Sequence, residues 1–140
     1  MKITDPAEYK KRIEDCLGGE NVSVQIETLD EAKFQKKMVM QQQKELRQIK
    51  REINEDMKNI RTYYKQQSAN VQPSGFGSFG QLVGKGGYAR NEVAKKRRSI
   101  KQKQQTVLQP YENIKRTIDN VILQLDRAKL MLTEYIKEES

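Results

Sequence analysis

The sequence has no histidine, no tryptophan, one cysteine and three prolines in 140 residues. Without histidine it loses the commonest general base and the commonest metal ligand. Carboxylate-bridged di-iron bundles take ligands from Glu-x-x-His motifs, so that chemistry is excluded. A single cysteine cannot assemble a structural zinc site. Cys16 has no partner for an internal disulfide and no histidine to activate it as a nucleophile. These absences point to a protein that is not an enzyme and that carries no metal or cofactor. Long apolar runs are missing as well. Nothing approaches the roughly 18 consecutive apolar residues of a membrane-spanning helix. The opening Met1-Lys2-Ile3-Thr4-Asp5-Pro6 lacks the apolar core of a signal peptide. A cytoplasmic protein with no integral membrane segment is the expectation, and a lone thiol suits a reducing compartment.

Apolar residues are scarce. Leu, Ile, Val and Phe supply 31 of the 140 residues, just above the fraction of about 20% at which a highly charged chain stays disordered. So small a set has to be used efficiently, and a thin pair of long helices does so, above all if it dimerises.

The apolar pattern supports such a pair. Asp5, Pro6 and Glu8 form a helix start, with Asp5 as cap, Pro6 in the first turn and Glu8 at the capping-box position. Tyr9, Ile13, Cys16 and Leu17 then make one helical stripe, which Gly18 and Gly19 end. On that stripe Cys16 reads as a small buried hydrophobe. Val22, Val24 and Ile26 alternate with polar residues as a strand would. A single strand is not stable alone, so we read this stretch as an extended linker. Residues 1–27 are thus a capping helix plus linker.

Thr28 and Glu31 form a second capping box. From there Val39, Leu46, Ile53 and Ile60 recur every seven residues. Ile49 and Tyr63 occupy the second seam position, which Gln42 and Asp56 interrupt, and Met57 and Tyr64 follow one residue later, as on a seam that drifts around a straight helix. The spacing predicts a helix over 28–69. Six of the eight glycines fall within 71–87, after Pro73, and predict a flexible loop over 70–88. A second heptad series, Val93, Ile100, Val107, Ile114, Val121, Ala128 and Tyr135, predicts a helix over 89–138. Its companion positions are Arg97, Gln104, Tyr111, Ile118, Leu125 and Leu132, polar near the loop and apolar beyond it. Pro110 lies inside this helix and should kink or divide it near Gln109.

The resulting fold class is all-α: a long antiparallel, coiled-coil-like helical hairpin over 28–140, with a short N-terminal helix packed near its open end and a kink near Pro110. Placing the loop centre near Phe79 and Gly80 pairs Ile60 with Ile100, Ile53 with Val107, Leu46 with Ile114 and Val39 with Val121. Ile122, Leu123, Leu130, Met131 and Ile136 lie outside this seam. We expect the N-terminal helix to cover some of them and a homodimer to cover the rest.

Two motifs resemble phosphate loops and fail on context. The stretch 75–80 matches G-x-G-x-x-G, but a helix precedes it and more glycines follow, whereas a dinucleotide site needs a strand before and a helix directly after. The stretch 80–86 is one residue short of a Walker A loop and has Gly86 where Ser or Thr belongs. Glu52 and Asp56 share a helix face among Lys and Arg, which reads as solvated ion pairing.

Charge is the strongest functional signal. The net charge is +8. Lys85, Arg90, Lys95, Lys96, Arg97, Arg98, Lys101 and Lys103 are opposed within their segment only by Glu92, so residues 85–103 carry nearly all of that excess. Beside them Phe76, Phe79, Leu82 and Val83 stand among the loop glycines, placed either to contact a partner or to fold back onto the helix ends. A run of Lys95-Lys96-Arg97-Arg98 covers every direction of a helix and cannot be wholly buried. Its plainest role is a solvated, solubilising face. Its concentration at a hairpin tip points instead to a non-catalytic interaction or scaffold protein whose basic tip docks on an acidic partner. The alternatives are sequence-nonspecific nucleic-acid binding through backbone phosphates and attachment to an anionic membrane surface.

Overall fold

A computed structural model describes residues 3–18, 26–71 and 86–140, with side chains from residue 90 onward in the last stretch. Among these residues there are three helices and no strand: α1, Pro6–Leu17; α2, Leu29–Ala69; and α3, Gly86–Glu139. The fold is all-α, a long antiparallel hairpin of α2 and α3 with α1 laid against it. At 1.5 Å per residue α2 is about 60 Å long and α3 about 80 Å. Val22 and Val24, with their strand-like alternation, fall outside the described residues. Ile26 is half-buried against the core.

The helix ends follow from local chemistry. The Asp5 carboxylate accepts from the Ala7 N–H at 2.8 Å, and Pro6 occupies the first helical position, where a missing N–H costs nothing. Gly18 closes α1 at φ +65°, a left-handed conformation that a β-carbon disfavours. The Thr28 hydroxyl accepts from the Glu31 N–H at 3.2 Å, and the Glu31 carboxylate accepts in turn from the Glu27 N–H at 3.1 Å.

The core is a single stripe. Leu46, Ile49, Ile53, Met57 and Ile60 of α2 meet Leu108, Tyr111, Ile114, Ile118, Leu125 and Leu132 of α3. The drift expected of a straight helix is visible, since Met57 is buried and Tyr64 half-buried while Tyr63 is exposed. In α3 the seam shifts beside Pro110: Leu108 is buried and Val107, its heptad neighbour, is exposed. Pro110 does not divide the helix, which runs unbroken through it.

The register differs from the one expected. Lys50 Nζ lies 2.5 Å from Asp119 Oδ1, and Gln43 Nε2 donates to Asp126 Oδ1 at 2.6 Å and to the Ile122 carbonyl at 3.4 Å. These bonds put Ile53 level with Ile114 and Leu46 level with Val121, one heptad away from the sequence pairing. The reason is asymmetry in the connection. The Arg97 Nε donates to the Ser68 carbonyl at 3.3 Å, so α3 starts well beyond the last turn of α2 rather than beside it.

The position of α1 also corrects the expectation. It packs along the middle of the hairpin, not at the open end. Tyr9 and Ile13 are buried, and full burial of an Ile side chain contributes about 1.5–3 kcal/mol. Arg12 pairs with Glu52 at 2.7 Å, its guanidinium 5.9 Å from the centre of the Tyr9 ring. At the other end of α1, Gln42 Nε2 donates to the Cys16 carbonyl at 3.4 Å and Cys16 Sγ donates to the Gln42 carbonyl at 3.7 Å. What fixes this place is Asp56, which is not solvated but buried. Its Oδ2 accepts from the Tyr9 hydroxyl and from the Thr4 N–H at 3.2 Å. Tyr111 completes the set, donating its hydroxyl to the Thr4 carbonyl at 2.7 Å with its ring edge-on to Tyr9.

Candidate functional site

The end of the hairpin where α2 stops and α3 begins gathers the charge. The first eleven residues of α3, 86–96, extend past α2, about 16 Å at the rise of an α-helix. Along α3 the side chains of Arg90, Lys95, Lys96, Arg97, Arg98, Lys101 and Lys103 are all exposed. They do not all stand alike. Lys96 lies 3.3 Å from Glu92 one turn earlier, and Arg97 bonds the C-terminal end of α2, where unpaired carbonyls carry partial negative charge. Lys85 and the loop residues Phe76, Phe79, Leu82 and Val83 lie outside the described residues.

Sequence reasoning missed the contribution of α2. Between the two helices at this end is an open cleft lined from α2 by Tyr64, Lys65, Ser68 and Ala69, and from α3 by Arg97, Arg98, Ile100, Lys101 and Gln104. Four cations therefore border one concavity, and a half-buried tyrosine and a half-buried isoleucine lie between them. Tyr63 packs edge-on against Tyr64, ring centres 5.2 Å apart. The signal was present in the sequence as Tyr63-Tyr64-Lys65. It could be joined to the basic run only once the register placed Ser68 beside Arg97.

The opposite, open half of the hairpin exposes several large apolar side chains. Leu123, Leu130 and Met131 are exposed, as are Phe34, Met38 and Met40 of α2. Ile122 and Ile136, expected with them on an oligomer surface, instead pack partly against the core. Because α1 lies along the middle of the hairpin, it does not cover Leu130 or Met131.

Elsewhere the chemistry is quiet. Burial first, and Glu45 second, push the Cys16 thiol up to about 12, so it stays protonated near neutrality and is a poor nucleophile. Among the described residues no group of three or more Cys, Asp or Glu side chains could hold a metal ion, and no helix is long and apolar enough to cross a membrane. The chain matches no protein-family model, no curated protein and no solved structure.

Proposed function

We propose that this chain is a non-catalytic, cytoplasmic scaffold that holds an acidic partner at its basic end. The observation that carries the reading is the projection of α3 beyond α2, with its cations exposed on several faces of the helix. A face that served solubility alone would have no use for a concavity bordered by four cations from two helices. The exposed apolar residues of the other half, with Leu130 and Met131 at their centre, serve to pair two copies of the chain. That pairing leaves both basic ends free.

The test is binding of a polyanion, fluorescent heparin, as salt is varied. The native chain binds, and its affinity falls steeply with salt because surface charges are screened over about 8 Å at physiological ionic strength. Replacing Lys95, Arg98, Lys101 and Lys103 together with Gln spares the Glu92–Lys96 pair and the Arg97 contact. Gln keeps good helix propensity, so the melting temperature holds while binding collapses. Unchanged binding by a folded quadruple variant would remove the basic end from the function.

A further inference from the structure

We infer that the cleft between α2 and α3 at the basic end seats single-stranded nucleic acid, with a base stacked on Tyr64 and backbone phosphates held by Lys65, Arg98 and Lys101. The inference rests on the proposal of an anionic partner and names its class.

Three observations carry it. First, the cations come from both helices and border one concavity rather than a flat face, so successive phosphates can be met from two sides. Second, an aromatic side chain lies among them. Tyr64 lines the cleft while Tyr63 braces it edge-on, which limits the tilt of its ring. Nucleic-acid surfaces that ignore sequence combine these two parts, a positive groove for the backbone and aromatic faces for the bases. Third, the cleft is open to solvent, and besides its cations the polar side chains that line it are those of Tyr64, Ser68 and Gln104. Recognition there is by charge and stacking. A duplex offers phosphates but keeps its base faces covered. A carboxylate-rich protein offers charge without a ring to stack. A single strand uses both features of the cleft.

The experiment titrates the full-length chain with four fluorescent probes: a (dT)20 strand, a duplex containing that strand, polyglutamate, and phosphatidylserine vesicles. The expected result is tightest binding of (dT)20, with quenching of tyrosine emission as a base covers the ring. Tyr64→Leu keeps an apolar side chain against the core but removes the stacking face, and weakens (dT)20 by about fivefold or more. Tyr64→Phe restores the affinity. A melting temperature for each variant separates lost stacking from lost folding. Replacing Lys65 and Lys101 together with Gln lowers the slope of log affinity against log salt by about 1.4, since a single strand contributes about 0.7 per phosphate contact. Duplex bound as tightly as (dT)20, with Tyr64→Leu indistinguishable from the native chain, overturns the inference. So does preferential binding of polyglutamate or of vesicles, although the basic end would then keep its general role. Binding of none of the four overturns both.

Discussion

Asp56 is the residue whose environment departs most from its sequence context. In the heptad pattern it is an interruption of the seam, one turn from Glu52 and surrounded by basic residues. Glu52 behaves as that context suggests, pairing with Arg12 at the surface. Asp56 is buried instead, because α1 brings the Tyr9 hydroxyl and the Thr4 N–H to it. Nothing in the spacing of α2 could reveal partners some fifty residues away. The Tyr9–Ile13–Cys16–Leu17 stripe was legible, but not what it docks on. The packing has a pH consequence. Burial, then the bond to Asp56, raises the pKa of Tyr9; burial raises that of Tyr111; and burial holds the Cys16 thiol at about 12. All three groups are neutral in the fold and ionise more readily once unfolded. Their contribution is complete below the ordinary thiol and phenol values of 9.0 and 10.0 and is lost as pH climbs through the folded ones. Urea unfolding should therefore show stability falling above pH 9, and Cys16→Ala should remove the earliest part of the fall. A stability constant from pH 8 to pH 11 would contradict the buried placement of these groups. At neutral pH, Tyr9→Phe removes a donor from a buried carboxylate and should cost about 2 kcal/mol.

At the scale of elements, both long helices could be read from their seven-residue spacing, and their observed bounds lie close to those expected. The register could not. Two heptad series can be aligned in any step of seven, and a guess centred on the loop assumes that both helices stop at the same height. They do not, because α3 begins some three turns beyond the end of α2. The polar pairs that select the register, Gln43 with Asp126 and Lys50 with Asp119, have no sequence signature of their own. A double-mutant cycle on Lys50 and Asp119 tests the alignment. Exposed pairs of this kind couple by about 0.2–1 kcal/mol, and a coupling within that range is expected. Zero coupling there would count against the one-heptad shift. Beside Pro110 the seam moves from Val107 to Leu108. A proline inside a helix was visible in the sequence, whereas the accommodation that keeps the helix continuous depends on packing.

Over the whole molecule the hairpin divides its labours by end. The connected end carries nearly all the net charge and the open half carries most of the exposed large apolar side chains. The basic stretch on α3 was plain in the sequence; the cleft that Tyr64 and Lys65 add to it was not, since it exists only where two helices meet. Pairing of two copies through the open half predicts a dimer at micromolar concentration by light scattering. Leu130→Gln together with Met131→Gln should yield a monomer of undiminished helicity, and a native chain already monomeric would mean that those side chains serve something else. The claim that the connected end takes up an acidic partner is tested most directly by hydrogen exchange of the full chain with and without saturating heparin. Among the described residues no second helix lies beside the projecting turns of α3, which should exchange quickly when free. Heparin should slow exchange over 90–104 and 64–69 and leave 118–136 unchanged. Protection confined to 118–136, or none in 90–104 at saturation, would contradict it.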